Sequence, residues 1–132
     1  MIIPNVVKNL FEKQDLVAFG TADKKATPNV VAIFWKKIPD DETILLIDNF
    51  MKMTKENILE NNKVCISFWD SETEEGYKIK GTDAYHTEGP IFEEGKKVIQ
   101  SKKPERIPKG VVEINVTGVY MITPGPDAGK KL

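Results

Sequence analysis

The residues best suited to chemistry lie between 48 and 57, in the run Asp-Asn-Phe-Met-Lys-Met-Thr-Lys-Glu-Asn. An apolar strand ends there, a short loop carries Lys52, and the spacing predicts a helix from about Thr54 to Asn61 with Thr54 as its N-cap. A helix start leaves backbone N–H groups without intrahelical acceptors and carries partial positive charge. A threonine hydroxyl adds a donor, and Lys52 and Lys55 add full charge, so the composition suits a cradle for a phosphate or another anion. The plainer alternative is that Thr54 only caps the helix while both lysines are solvated, and the spacing leaves both open.

Other chemistry has little to stand on. One histidine and one cysteine make no His/Cys cluster for zinc, and HExxH, GxSxG and the GxxxxGK phosphate loop are all absent. His86, in Ala-Tyr-His-Thr-Glu-Gly-Pro, reads as structural or solvent-facing rather than catalytic. Glu72, Glu74 and Glu75 read as a solvated loop, because neighbouring glutamates on a flexible segment have no enforced geometry. Cys65 cannot form an internal disulfide, and Lys-Val-Cys-Ile-Ser-Phe-Trp around it reads as a buried strand. The Gly/Pro-rich tail at 124–132 holds Gly125, Gly129 and Lys130, which could form an anion-binding nest or belong to a frayed end.

The elements that must position these residues follow from length and periodicity. A chain of 132 residues, 40% hydrophobic and 30% charged, fits one domain over 1–132 with a core that needs no disulfide or metal. Nineteen basic and twenty acidic residues, interspersed to a net charge of −1, argue against nucleic-acid or polybasic membrane binding. With charges in the amino-terminal segment and no long apolar run, the expected compartment is the cytoplasm. A short amphipathic helix is predicted over 3–14 on Val6, Val7, Leu10 and Phe11. Strands follow at 16–22, 28–37, 43–48, 63–69, 76–86 and 110–123, with short helices at 54–61 and 91–102. In the second strand Asn29, Val31, Ile33 and Trp35 share one face. In the last, Val112, Ile114, Val116, Tyr120 and Ile122 do. Gly81 is expected to mark a bulge or a close backbone approach. Six strands joined mostly by short turns, with brief helices, predict a mainly β fold: a six-stranded antiparallel barrel with peripheral helices.

The order of Pro-Asn-Val-Val-Ala-Ile-Phe-Trp, then the segment from Ile44 through Thr54-Lys-Glu-Asn-Ile-Leu-Glu-Asn-Asn-Lys-Val, then the alternating strand ending in His-Thr-Glu-Gly-Pro resembles the pyridoxamine 5′-phosphate oxidase-like split β-barrel flavoproteins, in particular their short FMN-binding members. The resemblance covers about 15–123. It implies a homodimer with two FMN sites at the subunit interface and a role in hydride or electron transfer. It also implies phosphate contacts from a lysine and a threonine at the start of the short helix. Thr54 matches that threonine. Met53 stands where short members carry the lysine, so the charge would come from Lys52, Lys55 or elsewhere. Asn49, Phe50 and Met51 match the loop beside the ring, and Val31, Ala32, Ile33 and Phe34 match the strand under the cofactor, although Val31 and Ile33 also read as plain barrel core. Trp35, Trp69 and Tyr120 read as core or dimer contacts. Related barrels that bind F420 or haem, and a cofactor-free interaction module, are the alternatives.

Overall fold

The computed structural model describes residues 2–132. Helix α1 (Asn5–Lys13) opens the chain, followed by strands β1 (Val17–Ala22), β2 (Pro28–Ile33), β3 (Lys36–Lys37) and β4 (Thr43–Asp48). Then come α2 (Met53–Glu60), β5 (Lys63–Trp69), β6 (Gly76–His86), α3 (Pro90–Gln100) and β7 (Gly110–Met121). The fold is mainly β and antiparallel, as its alternating segments predict, but it has seven strands instead of six. The segment expected to run unbroken over 28–37 divides at Phe34 and Trp35.

That break lets the sheet curl. The strand order is β2-β1-β5-β6-β7-β4-β3, which puts β2 and β3 at opposite edges of the sheet. Seven flat strands would separate those edges by roughly 30 Å. Ile33 and Lys36 are three Cα steps apart, which allows at most about 11 Å. The sheet therefore curls into a half-barrel, and the chain crosses from one edge to the other through Phe34 and Trp35. The Trp35 carbonyl accepts the Ile47 N–H at 3.0 Å, which ties the crossing to β4.

The interior holds Phe19, Ile44, Leu46, Ile66, Phe68, Ile79, Ile114 and Val119, all almost fully buried, with Val7, Leu10 and Phe11 of α1 joining the same core. β4 is buried along its whole length, as an apolar run without alternation should be. The outer side of the β4–β7 wall is covered by α3, whose Gly95 lies so close to Val111 that a Cβ would come within 2.3 Å of its side chain. A glycine that weakens the helix in isolation is thus required by packing.

β7 departs from strict alternation. Lys80 pairs with Gly118 and Gly81 with Val116, so Thr117 is an extra residue and the ladder is bulged. One inserted residue reverses which side faces inward. Val112, Ile114 and Val116 stay on the inner face as predicted, but Val119 replaces Tyr120 there, and Tyr120 turns outward between Lys78 and Lys80. At the bulge, a Cβ on Gly81 would stand 2.5 Å from the Asn115 carbonyl oxygen. Gly81→Ala is expected to lower stability by about 1–3 kcal/mol, read from the urea midpoint, because a backbone atom cannot move aside as a side-chain end can.

Among the described residues, no helix is long and apolar enough to cross a membrane.

Candidate functional site

β4 delivers Asp48 fully buried at its end, and the chain then turns sharply. One carboxylate oxygen of Asp48 accepts the Met51 N–H at 2.8 Å, and the other accepts the Tyr85 hydroxyl at 2.6 Å. Its carbonyl accepts the Lys109 N–H at 2.8 Å. An aspartate bonding the backbone N–H three residues on is a local turn device, and here it sets the shape of the 48–53 loop. Burial and the Asp48 carboxylate raise the Tyr85 phenol well above its ordinary range, so it remains a donor. Gly110 provides room for the Tyr85 ring, where a Cβ would overlap it.

The loop leads into α2, which starts one residue earlier than the sequence suggests. Lys52 occupies the N-cap position and supplies no side-chain cap. Thr54 is therefore not the cap; it lies in the first turn, 1% exposed, and its Oγ1 accepts an N–H from the Asn29 amide at 3.0 Å. The same amide nitrogen lies 3.4 Å from the Thr21 hydroxyl, and Asn57 Nδ2 donates to that hydroxyl at 3.1 Å. Thr54 and Asn57, three apart on one helix face, thus lock the start of α2 against β1 and β2. With its acceptor site used by Asn29, the Thr54 hydroxyl still has its proton to give.

Between β2 and this loop lies a cavity of about 410 Å³, within the size range of small-molecule sites. Its walls come from β2 and the crossing (Asn29 and Val31 to Trp35), from Ile47, and from the loop and helix start (Asn49 to Thr54). β2 is an edge strand, paired only with β1, so the backbone groups on its free edge have no strand partner. The Asn49 side-chain oxygen is buried without a hydrogen-bond partner. The rim is apolar and open: Phe34, Phe50 and Met53 are all exposed, Phe50 to 81%. No carboxylate or histidine lines the cavity.

The match to known proteins agrees with this architecture. The family model described as Pyridoxamine 5′-phosphate oxidase matches residues 3–123. The chain belongs to that family. An uncharacterised protein of Methanocaldococcus jannaschii is 39% identical over 127 residues, covering 95% of this chain and 83% of the relative. The crystal structure of HupZ from Group A Streptococcus superposes with a TM-score of 0.86 at 33% identity, covering 97% of this chain and all of that one. An FMN-binding protein from Syntrophomonas wolfei shares the fold, with a TM-score of 0.79 at 17% identity over 90% of this chain and 85% of its own.

In this member of the pyridoxamine 5′-phosphate oxidase family, Val31, Ala32, Ile33, Phe34, Asn49, Phe50, Met51, Lys52 and Thr54 all border one cavity. Lys55 does not: its ammonium lies 5.2 Å from the centre of the Tyr85 ring. The tail is ordered and docks elsewhere. Gly129 donates to the Met121 carbonyl, Met121 donates to the Lys130 carbonyl, and Lys130 pairs with Asp127 at 2.7 Å. Gly125 and Gly129 both take positive φ to make this turn. None of Gly125, Gly129 and Lys130 borders the cavity. Of the residues left open as core or contacts, Trp69 is exposed and Trp35 borders the cavity. His86 pairs with Glu113 at 2.9 Å, away from the cavity. Burial pushes the Cys65 thiol up, as expected for a strand position.

Sequence reasoning missed Asp48 and Tyr85, which shape the loop, and Asn29, which holds Thr54. The signal for Asp48 was present: an aspartate closing an apolar strand immediately before a loop.

A buried carboxyl outside the cavity adds a testable pH dependence. Asp83 on β6 has a carboxylate oxygen with no partner, and burial raises its pKa to about 7. The unfolded chain ionises this group near 3.8 while the folded chain keeps the proton, so Asp83 lowers stability as pH rises from about 4 to 7, with no further effect above. Discounting for its partial solvation, Asp83→Asn is expected to gain about 1–2 kcal/mol at pH 8 relative to the parent and little at pH 4. Urea midpoints at the two pH values measure this; an equal effect at both would exclude the titration.

Proposed function

We propose that the cavity binds FMN and that the protein acts as a flavin-dependent oxidoreductase on a small substrate. The observation that carries this reading is the convergence, on one cavity, of an open helix N-terminus, a free strand edge and an unpartnered amide oxygen. The first N–H groups of α2, the Thr54 hydroxyl and the Lys52 ammonium suit a phosphate. Asn49 Oδ1, an orphaned acceptor, suits the imide N–H of an isoalloxazine. Val31, Ile33 and the free edge of β2 suit a ring lying along the strand.

When bound, FMN supplies the redox chemistry, accepting and passing on a hydride or electrons. The chain's own residues then position it and exclude water, which is why a cavity without a carboxylate or histidine is adequate. Lys52 is favoured over Lys55 for the phosphate, since Lys52 borders the cavity. Phe34, Phe50 and Met53 form an apolar rim suited to a second copy of the chain, which would make the protein a homodimer with the cofactor sites near the interface.

The test is a visible absorption scan of the purified protein with and without added FMN, run beside a sizing column and a thermal melt. A bound-flavin spectrum, a dimer elution volume and a melting temperature raised by FMN are expected. A spectrum of F420 or haem in the isolated protein would reassign the ligand. A colourless protein whose melting point ignores FMN would leave an interaction module.

A further inference from the structure

Four uncharged polar side chains lie between the sheet and the start of α2: Thr21 on β1, Asn29 on β2, and Thr54 and Asn57 on α2 itself. Thr21, Thr54 and Asn57 are buried, and Asn29 is half-buried. Apolar side chains at these positions would dock the helix without the cost of burying polar groups. What amides and hydroxyls add is direction, since an amide nitrogen carries protons and cannot accept one, whereas a hydroxyl can do either.

The direction runs one way through the group. Asn57 Nδ2 donates to Thr21 Oγ1 at 3.1 Å, and Asn29 Nδ2 donates to Thr54 Oγ1 at 3.0 Å while making a longer contact of 3.4 Å with Thr21 Oγ1. The Asn29 amide nitrogen is therefore placed between two threonine oxygens, one of which is itself fixed by Asn57. Because Asn29 offers Thr54 only a donor, the Thr54 proton is not used in that bond, and among the described residues no acceptor takes it. Thr54 borders the cavity, so a ligand there can supply the missing acceptor.

We propose that Asn29 is a positioning residue that holds the Thr54 hydroxyl as a donor, and that this wiring makes the cavity select a flavin with a terminal phosphate over the same flavin without one. This inference rests on the FMN reading of the cavity. Asn29 acts through Thr54, with Thr21 and Asn57 steadying its amide, and it need not touch the phosphate. A donor fixed before the ligand arrives loses no orientational freedom on binding, whereas a free hydroxyl does. Asn29 thus bears on the phosphate alone, although it lies on the strand that walls the whole cavity.

Titration with FMN and with riboflavin, which is FMN without its phosphate, tests this in the parent, Asn29→Ala, Thr54→Val and the variant carrying both changes. The parent is expected to bind FMN at least about tenfold more tightly than riboflavin. Asn29→Ala is expected to weaken FMN by about fivefold to tenfold and riboflavin by no more than about twofold. In the Thr54→Val background, Asn29→Ala is expected to change FMN affinity by no more than about twofold, because a residue acting through a hydroxyl has no effect once the hydroxyl is gone. Asn29→Asp keeps the size of the side chain but turns the donor into an acceptor for the Thr54 proton, so FMN affinity is expected to fall by about tenfold or more with riboflavin spared. That variant carries the test if Asn29→Ala does not fold. Equal losses for both flavins would reduce Asn29 to a part of the cavity wall and overturn the inference. Additive losses from Asn29→Ala and Thr54→Val, undiminished FMN affinity in Asn29→Asp, or a parent that binds the two flavins equally would overturn it too. A parent that takes neither flavin is a different result, which removes the reading beneath the inference.

Discussion

Thr54→Val combined with Lys52→Ala is expected to weaken FMN binding by about one to three orders of magnitude, with the fold retained. The hydroxyl proton of Thr54 is the donor left over after Asn29 bonds its oxygen, and Lys52 is the lysine that borders the cavity. A hydrogen bond to a charged group contributes about 1.5–3 kcal/mol and a nearby ammonium adds up to about 1 kcal/mol, which converts to that loss. Valine keeps the shape of threonine, so the buried position stays filled, although the Asn29 amide loses its better acceptor. Thr54→Ser, which keeps the hydroxyl, is expected to stay within about tenfold of the parent. Lys55→Ala, removing a cation placed over Tyr85, is expected to change affinity far less than Lys52→Ala. Quenching of FMN fluorescence on titration reads the parent and all four variants. Undiminished affinity in the double variant would remove the phosphate from the start of α2.

Asp48→Ala is expected to be among the most damaging single changes in the protein. The carboxylate is fully buried and accepts both the Met51 N–H and the Tyr85 hydroxyl. Alanine would leave two donors without partners in a dry environment and a void beside Tyr85, a combined loss of about 3–5 kcal/mol. The damage also reaches the cavity, because the Met51 contact sets the path of the loop that carries Asn49, Phe50 and Lys52. Asp48→Asn keeps an acceptor for one of the two donors and is expected to lose about half as much. Chemical denaturation gives the stability term, and FMN titration of the folded fraction gives the cavity term. A variant as stable as the parent would show that the loop is held by something other than this carboxylate.

How much of this was readable beforehand depends on the range of the interaction involved. The start of β7, all of β4 and most of the α1 stripe (Val7, Leu10 and Phe11, but not Val6, which is exposed) follow from local periodicity, because each buries one face or both against a single core. The order of the segments was also sufficient to indicate the family. Where a local pattern admits two outcomes, contacts distant in the chain decided. Asn29 caught Thr54, and α2 accordingly began at Met53 with an uncapped end. The 28–37 segment looked like one strand, since nothing in Phe34 or Trp35 opposes extension. It broke there because its two ends belong to opposite edges of a curled sheet.

The sequence by itself determined the alternating strands, the three helices and the polar-to-cationic run that follows β4. Only the tertiary structure decided that Thr117 is extra and turns Tyr120 outward, and that Lys52 reaches the cavity while Lys55 covers Tyr85. The reason is physical. Periodicity records which side of an element is buried, whereas register shifts, hydrogen-bond partners and stacking pairs depend on where a second, distant segment lies when the barrel closes.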